Sequence, residues 1–126
     1  MRFKKEVFLI SFIITFIVAL EIITNMYTDK IVDEMSKDTE NVMNELYNRN
    51  VDDSIEKLKE KWLEKEGILS CYVEHDELDQ VTSSLLFMEE NAKNKEYEQA
   101  LTNGRDFMIW LNHFKEKDKL ILKNIL

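Results

Sequence analysis

Proline is absent from the 126-residue sequence, and glycine occurs only twice, as Gly67 and Gly104. Average usage would place about six prolines and about nine glycines in a chain of this length. The shortage excludes collagen-like, proline-rich and glycine/serine-linker chains, and it argues against a sandwich built on many tight turns. Cysteine is scarce as well. Cys71 stands alone, so an intramolecular disulfide framework and a CxxC-based zinc finger are both excluded. Positive charge is also short: 17 Lys and Arg stand against 25 Asp and Glu, a formal net charge of -8. That balance disfavours nucleic acid and broad anionic surfaces as partners. The length suits one domain with a modest core.

What is present begins with a basic tail, residues 1–6, holding Arg2, Lys4 and Lys5. Residues 7–20 then carry no charge, with Ser11 and Thr15 as the only polar side chains. Glu21 interrupts before Ile22 and Ile23 extend the apolar stretch. Residues 7–23, as a helix, span about 25 Å, the short end of what crosses a hydrocarbon core of about 30 Å. Snorkelling of Lys4 and Lys5 makes up part of the difference. A cleaved signal peptide also has an apolar run of this length, but the residues around Ala19 make poor cleavage positions. The sequence therefore predicts an uncleaved signal anchor at 7–23, with the lipid bilayer as its partner. Three basic residues precede the span, while Lys30 and Lys37 follow it, which predicts a cytoplasmic N-terminus and an extracytoplasmic remainder. Removing three basic and two acidic residues from the totals leaves 14 and 23 in residues 24–126, an acidic segment.

That segment reads as helix throughout. Val32, Met35, Thr39, Val42 and Leu46 recur at three- and four-residue steps, as do Val51, Ile55, Leu58 and Trp62. Cys71, Glu74, Leu78, Val81, Leu85, Met88 and Ala92 make a third stripe, and Ala100, Gly104, Phe107, Leu111, Phe114, Asp118, Ile121 and Ile125 a fourth. The expected fold is all-α: a transmembrane helix continuing into an antiparallel three- to four-helix bundle over 24–126, with helices at about 24–49, 52–66, 68–93 and 95–124. Asp52, Asp53 or Ser54 is expected to cap the second. A reversal near residue 94 would set Met88 against Ala100, Leu85 against Gly104, Val81 against Phe107, Leu78 against Trp110 and Glu74 against Phe114. An unbroken helix over 52–93 would run about 62 Å beside an outer first helix of only about 39 Å, driving the segment around Asp76 into the bilayer. A kink or break at 65–69, using Gly67, is therefore expected.

The densest polar cluster is Tyr72 to Asp79. On one helix Cys71, His75 and Asp79 share a face, and a His/carboxylate pair four residues apart is a familiar chelating geometry. The reversal at 94 would also bring His75 level with His113. His75, Asp79 and His113, with Glu74 or Cys71, are thus the candidate metal ligands. Against this, Tyr72 stands where a Glu-x-x-His signature needs its carboxylate, and acidic residues on an exposed face serve solubility alone. Ser83 and Ser84 lack the glycines of a nucleophile elbow, and two isolated glycines make no phosphate loop. Cys71 reads as a small buried seam residue, and Trp62 and Trp110 as core. No catalytic residue and no cofactor site is predicted. The chain closes on Leu120, Ile121, Leu122, Ile125 and Leu126, a tail expected near the bilayer surface or sealing the base of the bundle, with partner binding as the alternative.

Trp62, then Tyr72-x-Glu74-His75-Asp76-Glu77-Leu78, the stripe through Leu85 and the closing Leu122-Lys123-Asn124-Ile125-Leu126 together resemble an uncharacterised family. Its members are small single-span membrane proteins of low-GC Gram-positive bacteria, catalogued as a domain of unknown function. The resemblance implies an uncleaved anchor and a bacterial source, and it brings no activity, cofactor or partner. It marks Glu74, His75, Asp76, Glu77 and Asp79 as the candidate interaction residues. The functional expectation is a non-enzymatic interaction or accessory subunit working with another membrane or cell-envelope protein. The alternatives are a metal- or ligand-sensing module at His75, Asp79 and His113, and a secreted bundle released by cleavage.

Overall fold

The structure is a computed structural model, and it describes the backbone of residues 2–51 and 53–125 and the side chains of those residues as far as Lys117. Four helices make up the fold: α1 (Arg2–Tyr47), α2 (Ser54–Leu69), α3 (His75–Lys93) and α4 (Tyr97–Ile125). No strand occurs among the described residues. Side-chain pairs show that successive helices are antiparallel. Lys61 meets Asp38 across α1 and α2, Trp62 meets Thr82 across α2 and α3, Asn91 meets Asn103 across α3 and α4, and Lys115 meets Asp33 across α1 and α4. The helices therefore close a ring in chain order, an up-down four-helix bundle.

Only the outer half of α1 belongs to that bundle. Its first buried residue is Thr28, after which Ile31, Val32, Met35, Thr39, Val42 and Leu46 form the expected stripe. Thr39 enters the core because its hydroxyl donates to the Met35 carbonyl at 2.6 Å. Before this stripe the helix is apolar and bare. Phe8, Leu9, Phe12, Ile14, Phe16 and Ile23 are each more than half exposed. This stretch is long and apolar enough to cross a membrane, with a mean hydropathy of 2.6 over its best window and no share of that window buried. No break separates it from the bundle.

The core joins these α1 residues to Ile55, Leu58 and Trp62 of α2, Leu78, Val81, Leu85 and Met88 of α3, and Ala100, Phe107, Leu111 and Phe114 of α4. Trp62 sits at its centre, fully buried and edge-on to Phe107 with ring centroids 5.6 Å apart. Trp110, by contrast, is only partly buried.

Three expectations require correction. The break between the second and third helices falls at 70–74 rather than 65–69. α2 passes through Gly67 to Leu69, and that glycine is exposed, with open space where a Cβ would stand. The helix ends instead in tightened turns: the amides of Cys71 and Tyr72 donate to the carbonyls of Ile68 and Leu69. Cys71 and Glu74 consequently leave the stripe that includes Leu78, and both are exposed. Thirdly, the α3–α4 pairing is slipped by about one helical turn. Asn91 rather than Met88 stands near the reversal, bonded to Asn103, and Gly104 lies under Met88 and Met43 rather than Leu85. Lys95 adopts φ 60 and α4 starts at Tyr97, so the chain pivots about two residues later than 94. A pivot displaced by two changes every cross-helix pairing by four. One turn preserves the face of each residue, which is why the buried set matches the expected stripe although its partners do not.

Asp53 precedes α2 without a side-chain cap bond, Asp52 lies outside the described residues, and Ser54 donates to Glu45 of α1. The side chains of residues 118–126, among them the expected core positions Asp118, Ile121 and Ile125 and the apolar tail, also lie outside the described residues.

Candidate functional site

The segment singled out in the sequence becomes the turn between α2 and α3 and the first turn of α3. Glu74 is the N-cap residue in extended conformation, and His75, Asp76 and Glu77 follow as the opening helical residues. Acidic side chains here face the positive end of the helix dipole, a local electrostatic reason for their clustering. Glu74, His75, Asp76 and Asp79 are exposed, and Glu77 is half-buried. The turn is fixed to α1 by the Tyr72 hydroxyl, 2.8 Å from the Thr28 hydroxyl.

Displacement of the α3–α4 register separates the proposed ligands. His113 Nε2 lies 3.8 Å from Glu77 Oε1, and Lys117 of α4 comes level with the start of α3, 2.8 Å from Glu77 and 3.9 Å from Glu74. Cys71 precedes the helix, so it cannot share a face with His75 and Asp79. Among the described residues no three His, Cys, Asp or Glu side chains gather as a metal would require.

A second polar feature was not singled out from the sequence. Each of the four helix interfaces carries a lysine bound to a carboxylate. Lys61 joins α2 to Glu34 and Asp38 of α1 at 2.5 and 2.6 Å, and Lys59 joins α2 to Glu89 of α3 at 2.8 Å. Lys117 joins α4 to Glu77, and Lys115 joins α4 to Asp33 of α1 at 3.0 Å. The Glu34 carboxyl is held below its ordinary value by the Lys61 hydrogen bond. Burial pushes Glu89 up, but its bond to Lys59 and the charge of Lys93 outweigh burial and hold it low. The ammonium groups of Lys61, Lys59 and Lys115 are raised by bonds to Asp38, Glu89 and Asp33 respectively. One polar chain enters the core itself: Trp62 Nε1 donates to Thr82 Oγ1 at 2.9 Å, and that hydroxyl donates to Glu66 Oε2 at 2.8 Å. The arrangement satisfies each buried donor and leaves no group poised to react.

The bundle end remote from the apolar turns holds two unusual backbone positions. Arg49 and Lys95 have φ of 55 and 60, a region favoured by glycine. Both follow helix ends closed in the same way. The Asn50 amide donates to the Glu45 carbonyl, and the Glu96 amide to the Asn91 carbonyl, which is the Schellman arrangement. Arg49 then lies over the Tyr97 ring at 5.8 Å. An open cleft of about 510 Å³ lies here, lined by Arg49, Lys95, Glu96, Tyr97, Glu98 and Gln99. Neither arginine nor lysine marks a left-handed position in sequence, so this tip had no legible signal.

A family model described as "Domain of unknown function (DUF4363)" matches residues 22–125. The match starts where the bare apolar turns of α1 end and takes in all four bundle segments. No curated protein and no solved structure matches the chain. Most of the sequence lies within that one model, and the chain belongs to the DUF4363 family of unknown function.

Proposed function

We propose that this protein is a single-pass membrane protein in which residues 7–23 cross the bilayer with the N-terminus in the cytoplasm. The acidic bundle then stands outside the cytoplasm and serves as a non-enzymatic interaction subunit for another membrane or cell-envelope protein. One observation carries the reading: the same unbroken helix is apolar and exposed on all sides before Tyr27 and supplies a core stripe from Thr28 onward. A helix apolar all round is at home in lipid, and an amphipathic one in a bundle, so α1 joins two environments. Basic residues at 2, 4 and 5 support the orientation.

Cys71 supplies the test, being the single cysteine and exposed. In intact cells expressing the full chain, a membrane-impermeant maleimide is expected to label it. Labelling only after lysis would overturn the orientation. Intact mass of the membrane fraction is expected to retain the N-terminal residues, whereas loss of the first ~20–25 would indicate a cleaved signal instead. Affinity purification in mild detergent is expected to recover a stoichiometric partner. A lone chain with catalytic turnover would contradict the proposed role.

A further inference from the structure

The helices do not end together at the base of the bundle. α2 stops at Leu69 and α3 starts at His75, with the turn between them tied to Thr28 through Tyr72. α4 runs further. Its register on α1 is fixed at two places, where Lys115 meets Asp33 and where Gly104 lies under the Met43 side chain. Ile125 lies as far beyond Lys115 as Ile23 lies before Asp33, so the α4 backbone ends level with Ile23, at the top of the apolar turns. Lys117 is bound to Glu74 and Glu77 at the start of α3. Residues 118–125 therefore continue about 12 Å past that level, where the bounds of α2 and α3 leave α1 as the neighbouring helix.

This overhang is unusually aliphatic. Leu120, Ile121, Leu122, Ile125 and Leu126 fill five of the last seven positions of the sequence. Two turns lying against one helix can bury a single stripe, and five large aliphatic residues in seven exceed a stripe. Lys119 and Lys123 accompany them, the composition of helices that lie at a bilayer surface.

We propose that the last two turns of α4 form a second lipid contact, seated at the headgroup–acyl boundary of the same bilayer. This rests on the reading of 7–23 as a span, because the level of Ile23 is the membrane surface only under that reading. The bundle is then held at two points and does not pivot freely about α1.

The test uses the full chain in vesicles of phosphatidylcholine and phosphatidylglycerol, with Cys71→Ser and one new cysteine carrying a nitroxide. Labels are placed by Phe16→Cys, Tyr47→Cys, Leu120→Cys and Leu126→Cys, and collision with oxygen and with a water-soluble nickel chelate is measured. The oxygen-to-nickel ratio is expected to be highest at 16, lowest at 47, and several-fold above the value at 47 for 120 and 126. If 120 and 126 match 47 while 16 is deep, the span stands and the second contact is overturned. If 16 itself matches 47, the span is overturned and the second contact with it. Labels at 120 and 126 shielded from both reagents would reveal a protein neighbour, such as a second copy, and would also overturn the proposal.

Discussion

Arg49 and Lys95 show how little the position of a glycine follows from the presence of a turn. Both helix ends at the tip need a left-handed residue, and both use a long basic side chain. Meanwhile Gly67 and Gly104 lie inside helices, neither with positive φ. Gly104 is there for room: a Cβ would stand 3.1 Å from the Met43 and Met88 side chains, tighter than ordinary contact. Replacing Lys95 by Gly is expected to stabilise the protein by about 0.5–1 kcal/mol, since glycine enters the left-handed region without a Cβ penalty. Arg49→Gly should gain less, because it gives up the stacking of Arg49 on Tyr97, a contact of about 0.5–1 kcal/mol when exposed. Thermal unfolding of the detergent-solubilised full chain measures both. Equal gains at the two positions would show that the contact contributes nothing.

At the scale of the helices, the four lysine–carboxylate bridges predict how pairing responds to pH. Glu34 and Glu89 titrate below the reference 4.5 in the folded protein, so their contribution is present above that value and is lost as pH falls through the lower folded value. Lys59, Lys61 and Lys115 titrate above the reference 10.5, so theirs is complete below it and is lost as pH rises through the higher folded values. The melting temperature is expected to be level between about pH 5 and about pH 10 and to fall outside that window. Glu89→Gln should lower the plateau and blunt the acid-side fall. A melting temperature that declines steadily from pH 8 to pH 5 would contradict the assignment. Each bridge is partly solvated and worth about 1 kcal/mol at most, so the bridges set register rather than supply the bulk of stability. Register is also where the sequence was least legible. The spacing of Val32, Met35, Val42 and Leu46, or of Val81, Leu85 and Met88, identifies a buried face because helix period alone fixes it. The level at which two faces meet depends on where a turn pivots, and Lys95 in a left-handed conformation leaves no mark in composition. His75 and His113 were paired by that uncertain pivot, so the candidate metal site fell with it. The 70–74 break was hidden for a similar reason, since Gly67 offered a more conspicuous residue than the turn-forming Ser70 beside it.

For the whole molecule, the unbroken passage of α1 from bare apolar turns to core helix sets a rotational phase. Because residues 28–46 are locked in the bundle by their stripe, every residue of 7–23 has a fixed compass bearing relative to α2, α3 and α4. A neighbouring helix in the membrane would therefore meet one predetermined side of the span, and the partner's outer part would meet one predetermined side of the bundle. Inserting one alanine after Ile23 would turn the span by about 100° against the bundle and lengthen it by only about 1.5 Å. Such a variant is expected to melt like the parent, since the core stripe begins beyond the insertion, yet to lose a partner that engages both parts in detergent co-purification. Retention of the partner would mean that it reads only one of them. Phase, rather than any single side chain, would then be what the continuous helix encodes: a bearing carried through the bilayer surface without a joint to absorb it.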